Sequence, residues 1–283
     1  MRIFLTGGTG FIGSHVLKQA LAAGHQVLAL RRRKSEPRIR LEQQPQWCEG
    51  ALTDDWSEAL AGCDAFLHLA AYGVAAGAYD WDGCFQTNVI DSLQLWRKAA
   101  TAGIRRFLIV GSCFEYGRSG ERYEVIPPSA PLEPTTAYGA SKAAASMAAL
   151  ALAVDKQLQL ILARPFHVYG EGEAPERFWP MLVAAALSGD DLPMTSGDQI
   201  RDFQPVEQAA KQLLSWLESS EIRPGKPQVV NLGTSEYRSL LSFAQQEWLR
   251  LHASGELKPG AIPQRHNEVL RYVPQVSTPN IQH

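Results

Sequence analysis

The segment Thr6-Gly7-Gly8-Thr9-Gly10-Phe11-Ile12-Gly13 narrows the possible folds of this chain more than any other. Ile3-Phe4-Leu5 before it reads as a short buried strand. From Phe11 to Ala23, the residues Phe11, Ile12, Val16, Leu17, Ala20 and Leu21 make one apolar helical stripe. Gly24-His25 is a helix stop, and Val27 to Leu30 is a second apolar strand. Strand, turn, helix and strand within about 30 residues form a βαβ unit. Gly7, Gly10 and Gly13 fit GxxGxxG, and Gly8, Gly10 and Gly13 fit GxGxxG. Such a turn needs glycine because it is tight, its backbone must approach a pyrophosphate, and the helix packs close to the strand. The N–H groups and dipole at the helix start then attract a dinucleotide pyrophosphate. A glycine pattern alone is weak. The strand before it and the helix after it favour a dinucleotide over a purely structural turn.

The end of the second strand separates NAD from NADP. An acid there accepts from the ribose 2′-hydroxyl, whereas an arginine suits a 2′-phosphate. Here Arg31-Arg32-Arg33-Lys34 follows and no acid does, so Arg31 predicts NADP(H), with NAD(H) as the alternative. The competing reading is a solvated charge run at a strand end. Asp54 is expected against the adenine amine, at the N-cap of the next helix, or in both roles at once.

About 130 residues further on, Tyr138-Gly139-Ala140-Ser141-Lys142 places a phenol and an ammonium at i, i+4 on one helix face. The ammonium is expected to favour the phenolate and lower the Tyr138 pKa toward useful acid–base chemistry. Such a pair is common by chance; what gives it weight is the dinucleotide turn upstream. Ser112 lies just past the apolar strand Phe107 to Val110, at the carboxyl end of the sheet where open α/β folds bind ligands. Its hydroxyl is placed to hydrogen-bond a reacting oxygen. Together these residues point to a nicotinamide-dependent enzyme acting at a carbonyl or alcohol carbon.

The alternation continues. Ala65 to Leu69 is strand-like, Trp81 to Ala102 a helix, Phe107 to Val110 a strand, Thr136 to Lys156 a helix and Leu158 to Leu162 a strand. This predicts an α/β, doubly wound parallel sheet covered on both faces. After residue 165, prolines at 165, 175, 180, 193 and 205 loosen the rhythm. The expected division is a dinucleotide-binding domain over 1–165 and a smaller substrate-binding lobe over 166–283, partly interleaved with the first. A net charge of −2 argues against nucleic acid as a partner. The 4 cysteines show no CxxC pair and no metal spacing, so they read as reduced thiols of a cytoplasmic protein with no metal site. The N-terminus runs directly into the first strand, so it does not read as a signal peptide. No apolar run is expected to reach membrane-spanning length, and no membrane partner is expected.

Thr6–Gly13 is followed in order by His68-Leu69-Ala70-Ala71, Thr87-Asn88-Val89, Gly111-Ser112 through Tyr116-Gly117, and Tyr138–Lys142. Arg164-Pro165 through Val168-Tyr169-Gly170, Arg201-Asp202-Phe203 and Asn231-Leu232-Gly233 come next. In this order the chain resembles the extended short-chain dehydrogenase/reductase family, in its nucleotide-sugar branch of 4-epimerases, dehydratases and ketoreductases. The resemblance covers roughly residues 1–235. It implies a Rossmann-type fold in which Tyr138 exchanges a proton with the sugar oxygen, Lys142 holds the nicotinamide ribose and Ser112 hydrogen-bonds the substrate oxygen. It implies cofactor contacts from Gly7, Gly10, Phe11, Ile12, Gly13, Arg31, Asp54, Leu69, Ala70, Ala71, Asn88, Tyr138, Lys142 and Pro165. Substrate contacts would come from Ser112, Cys113, Phe114, Glu115, His167 and Arg201, with Arg201 at the nucleotide diphosphate. The family commonly dimerises through the helix starting near Tyr138 and the one around 85–100. The alanine-rich first of these, with its small side chains, fits a homodimer.

The departures are informative. Family dehydratases carry an acidic pair where this chain has Cys113 and Phe114, and Glu115 is one place too late. Dehydration is therefore disfavoured. His167 stands where an Asn is usual, as a substrate contact, a proton carrier or a satisfied structural histidine. The chain stops at His283, short of the family's usual final helix and tail, so the expectation is a smaller substrate lobe or one whose final part is missing. The leading expectation is NADP(H)-dependent reduction of the 4-keto group of a nucleotide-activated deoxysugar. The alternative is a nucleotide-sugar 4-epimerase with bound NAD. A non-catalytic dinucleotide sensor is disfavoured by the presence of Ser112, Tyr138 and Lys142 together.

Overall fold

Five apolar runs and the short segment 46–49 become parallel strands in the computed structural model, which describes residues 1–74, 80–264 and 269–279. They are β1 (Arg2–Thr6), β2 (Gln26–Arg31), β3 (Gln46–Glu49), β4 (Ala65–His68), β5 (Arg106–Val110) and β6 (Gln159–Pro165), in spatial order β3-β2-β1-β4-β5-β6. The intervening helices are α1 (Phe11–Ala22), α2 (Ser57–Leu60), α3 (Trp81–Phe85), α4 (Ser92–Thr101) and α5 (Ala137–Asp155). The chain then runs through β7 (His167–Tyr169), α6 (Phe178–Ser188), β8 (Leu192–Met194), β9 (Ile200–Pro205) and α7 (Val206–Glu218). Next, β10 (Gln228–Leu232) adds in parallel to the outer edge of β6, which makes seven strands. β11 (Tyr237–Ser239), α8 (Leu240–Arg250), β12 (Leu257–Pro259) and β13 (Arg271–Tyr272) follow.

Near-continuous burial along β1, β4, β5 and β6 reflects a sheet with helices on both faces. On one face Ile3, Leu5, Leu108, Ile161 and Val230 pack against Val16 and Leu17 of α1 and Leu213 and Leu217 of α7. On the other, Phe4, Phe66, Phe107 and Leu160 meet Leu95 and Trp96 of α4 and Ala145, Ala149 and Ala153 of α5. Thus α7 and β10, well past residue 165, belong to the main sheet's packing. The remaining strands form smaller sheets: β9 pairs with β7, β11 and β13, and β8 pairs with β12. Leu182, Trp248 and their neighbours make a separate small core there.

Two local features depart from the sequence reading. The helix expected over Trp81 to Ala102 is interrupted by a wider π-helical turn at Gln86–Asp91, which carries Asn88. Also, α5 has 19 residues and mean hydropathy 1.3, so it is long and apolar enough to cross a membrane by length and composition. Its alanines reach that value, yet 56% of the window is buried against the protein, as in a core helix.

Candidate active site

The glycine turn joins β1 to α1. Gly7 adopts φ +76°, and a Cβ there would lie 2.5 Å from the backbone of Leu69 and Ala70. A Cβ on Gly13 would lie 2.0 Å from the Gly7 carbonyl oxygen. Only glycine lets turn, helix and the half-buried Leu69–Ala71 segment come this close. Gly10 is the N-cap of α1 and offers no side-chain cap, and the first turn of the helix, with Phe11, Ile12 and Gly13, holds no acid. Its leading N–H groups are therefore aimed at an anion. This cradle fits a dinucleotide pyrophosphate.

Ser112, Tyr138 and Lys142, the trio expected to be catalytic, converge at the carboxyl end of β5. Ser112 is buried and caps a single 3₁₀ turn, Cys113–Glu115, through a bond from the Phe114 N–H at 3.2 Å. Tyr138 is half-buried in the first turn of α5, with its phenol beside the Ser112 hydroxyl. Burial holds the phenol's pKa above its ordinary value, while the Ser112 hydroxyl pulls the other way. Lys142, buried one turn on, donates from Nζ to the Val110 carbonyl at 2.6 Å. Burial lowers its pKa to about 8, opposed by the charge of Glu115. The expectation that Lys142 would lower the Tyr138 pKa is thus corrected. Desolvation dominates, and the ammonium is turned to Val110.

Other predicted residues take different roles from those expected. Glu115 is fully buried. Its Oε1 accepts from the Ser112 N–H at 2.8 Å, and its Oε2 accepts from Ser146 Oγ at 2.7 Å and Arg164 Nε at 2.8 Å. It is not a substrate contact. Cys113 is also buried, with its thiol pushed up to about 12 by desolvation, so it supplies no acid. Phe114 is 51% exposed with its ring edge-on to Tyr138, centroids 6.3 Å apart. Asn88 is buried and its amide is fully engaged, with Oδ1 accepting from the Tyr72 N–H at 2.7 Å and Nδ2 donating to Tyr72 O at 3.0 Å and Ser141 Oγ at 2.9 Å. It braces the segment after β4 against α5 rather than offering free groups to a cofactor. Pro165 closes β6, buried and in register with Leu232.

The nucleotide end corrects two expectations. Arg31 lies over the Trp47 ring at 4.6 Å, donates to Glu49 Oε1 from Nε at 3.0 Å and from Nη2 at 2.7 Å, and donates to Glu36 from Nη1 at 3.1 Å. Two carboxylates hold the fork that was expected to select a 2′-phosphate, so the NADP argument from Arg31 loses its basis. Asp54 folds back to accept from the Ala51 N–H at 2.9 Å, while the start of α2 is served by Asp55, which accepts from the Ser57 N–H at 3.0 Å. Asp54 is thus not the N-cap of α2; Trp56 stands there, with no side-chain cap bond.

On the substrate side, His167 stands on β7 beside Phe203. Burial and the nearby Arg201 and Arg177 hold its pKa down at about 3, so it is neutral. Its Nδ1 is buried without a protein partner among the described residues. It is therefore neither a satisfied structural histidine nor a neutral-pH proton carrier. Arg201 is buried and donates to the carbonyls of Ile200 at 2.8 Å and Val269 at 2.7 Å, close to both His167 and Cys113. Sequence reading missed Arg177. At the start of α6 it donates to the Val74 carbonyl at 2.7 Å, and its charge acts on both Tyr138 and His167. No local pattern marks it, because only the tertiary fold brings α6 to this cleft. No cluster able to hold a metal ion occurs among the described residues.

Comparison with known proteins agrees with this geometry. A family model described as the NAD dependent epimerase/dehydratase family matches residues 3–233. The UDP-glucose 4-epimerase of Corynebacterium glutamicum is 26% identical over 256 residues, 83% of this chain and 76% of that protein. The structure of MoeE5 in complex with UDP-glucose and NAD aligns with TM-score 0.78 at 25% identity, over 98% of this chain and 90% of its own. A UDP-N-acetylglucosamine 4-epimerase from Methanobrevibacter ruminantium shares the fold at TM-score 0.86 and 22% identity, over 98% of this chain and 89% of its own. With a pyrophosphate cradle at one end of the sheet, a serine, tyrosine and lysine gathered beside it, and a match over most of its length, this chain belongs to the NAD-dependent epimerase/dehydratase family of extended short-chain dehydrogenase/reductase enzymes.

Proposed function

We propose that the chain reduces the 4-keto group of a nucleotide-activated deoxysugar. The observation that carries this reading is the set of groups around Tyr138: a protonated phenol beside Ser112, an apolar Phe114 at its edge, and no free carboxyl from positions 113–115. A phenol that keeps its proton suits donation to a carbonyl oxygen. An apolar ring at the edge of the phenol suits a sugar with a C6 methyl in place of a hydroxymethyl group. Elimination of water needs an acid–base pair that Cys113, Phe114 and the engaged Glu115 do not supply.

A dinucleotide held at the glycine turn would supply the hydride. Ser112 would align the sugar oxygen with Tyr138, which donates the proton. Lys142, released from the Val110 carbonyl, would hold the nicotinamide ribose. His167 and Arg201 would meet the substrate, with Arg201 toward its diphosphate. Because acids surround Arg31, we favour NAD(H); the exposed Arg32 and Arg33 are the remaining route to NADP(H).

A second reading, a 4-epimerase that keeps its NAD, is favoured by the same Arg31 arrangement and by the activity named for the C. glutamicum relative. The test is to follow nicotinamide absorbance with NADH or NADPH and nucleotide 4-keto-6-deoxysugars, and in parallel to look for C4 inversion of UDP-glucose. Stoichiometric oxidation supports reduction. Inversion without net oxidation replaces it with the epimerase. A homodimer is also proposed, through the outer face of α5, where Met147 and Val154 are exposed at 59% and 53%, together with Ile90 at 47%. Light scattering that shows only a monomer at micromolar concentration removes it.

A further inference from the structure

We infer that Glu115 is a positioning residue that clamps the turn carrying Ser112 to the helix carrying Tyr138 and Lys142; the inference rests on the hydride-transfer reading above. One carboxylate joins three elements. It accepts from the Ser112 N–H in the catalytic turn, from Ser146 in α5 and from Arg164 at the end of β6, at 2.8, 2.7 and 2.8 Å. Gly111 leaves room for it, since a Cβ there would lie 2.4 Å from Glu115 Oε1. Arg164 is fixed in turn, with Nη1 donating to the Tyr116 hydroxyl at 3.0 Å and the guanidinium over that ring at 4.7 Å.

Stability alone does not account for this arrangement. The side chains of Glu115 and Arg164 are 0% and 3% exposed, and desolvating such a pair cancels much of its attraction. An apolar pair of similar volume would serve packing as well. What the ion pair adds is direction. It fixes the Ser112 turn and the first three turns of α5 as one unit, and so sets where the serine hydroxyl meets the phenol. The same charge opposes the loss of the Lys142 proton. Small misplacements of reacting groups are costly in rate, whereas ground-state binding depends on contacts elsewhere.

The experiment compares wild type with Glu115→Gln, Glu115→Asp and the double variant Glu115→Gln/Arg164→Met. Glu115→Gln keeps the shape but presents an amide N–H to Arg164. We expect kcat to fall by about 10- to 100-fold, with KM and cofactor affinity within about threefold, and the pH–rate limb due to Lys142 to move to lower pH. Glu115→Asp keeps the charge but not the span, so it should keep the pH limb while losing part of the rate. The double variant removes the unpaired guanidinium; if Glu115→Gln alone folds poorly, the double variant carries the test, with the same kcat loss expected in a stably folded protein. Unchanged kcat and pH profile in a folded variant that lacks the carboxylate overturn the inference. Wild type that turns over no nucleotide sugar overturns the functional reading instead. In that case hydrogen exchange at the Ser112 amide decides the clamp: faster exchange in Glu115→Gln with β1 and β4 unaffected supports it, and unchanged exchange refutes it.

Discussion

Replacing Lys142 by methionine should isolate the cost of burying its ammonium. Burial brings the group from 10.5 in the free chain to about 8 in the fold. Below about pH 8 the lysine is charged in both states, and the folded protein bears the full penalty of that burial. Between the two values the unfolded chain holds a proton that the folded chain has released, so stability rises with pH. Each pH unit across that window is worth about 1.4 kcal/mol, which gives about 3 kcal/mol for complete titration. In Lys142→Met neither state titrates at this position. The variant also leaves the Val110 carbonyl without its donor, but that loss does not change with pH. Urea unfolding of both proteins from about pH 7 to about pH 9.5 should therefore show wild type gaining about 2 kcal/mol on the variant. Taking the difference cancels the other titrating groups to first order. Parallel stability curves across that range would show that the ammonium is not held at a cost, and the account of Lys142 given above would be wrong.

Tyr138→Phe should lower turnover by at least about 100-fold while cofactor binding, read from tryptophan fluorescence, stays near wild type; retained turnover would assign the proton to another group. Gly13→Ala should cost about 1–3 kcal/mol by denaturation and abolish dinucleotide binding, because its methyl would meet the Gly7 carbonyl oxygen at 2.0 Å. Arg31→Ala should leave NADH affinity within about threefold, since the guanidinium serves Glu36 and Glu49. A tenfold loss confined to NADPH would restore Arg31 as a phosphate-binding residue. Asn88→Leu should destabilise the fold by about 2–3 kcal/mol in the same assay, because it leaves the Tyr72 N–H unpaired beside α5; an unchanged midpoint would show that the segment after β4 is held by other means.

What the sequence revealed was local. Gly7, Gly10 and Gly13 lie within one turn, and Tyr138 and Lys142 within one helix, so spacing alone reports their geometry. Ser112 was legible because it ends a strongly apolar strand. Where a side chain's partner is remote, the reading failed. Glu115 is explained by Arg164, 49 residues away, and Arg31 by Glu49 on β3, a short strand with little apolar pattern. Asp54 and Asp55 are adjacent and chemically alike, so which one serves the start of α2 is decided by backbone direction. The short strands β7, β8 and β11 to β13 were not foreseen because runs of two or three residues carry no usable period, and the six-residue β9 was missed because it buries Arg201, Asp202 and Gln204, which break the apolar pattern. Arg177 was invisible for a related reason, since its meeting with Tyr138 depends on how that lobe lies over the sheet.

The return of α7 and β10 to the main sheet bears on how the chain is made. During synthesis β1 to β6 emerge first, with Leu108, Ile161 and Ala163 on the face that Leu213 and Leu217 will cover. Roughly 40 residues separate the end of β6 from the start of α7, so that face waits uncovered while β7 to β9 leave the ribosome. The first 165 residues form no finished folding unit, and closing the sheet depends on contacts distant in sequence. A nascent chain halted before α7 would hold the whole pyrophosphate cradle yet expose an apolar face suited to chaperone capture. Binding competence and protection from aggregation are therefore reached at different moments of translation.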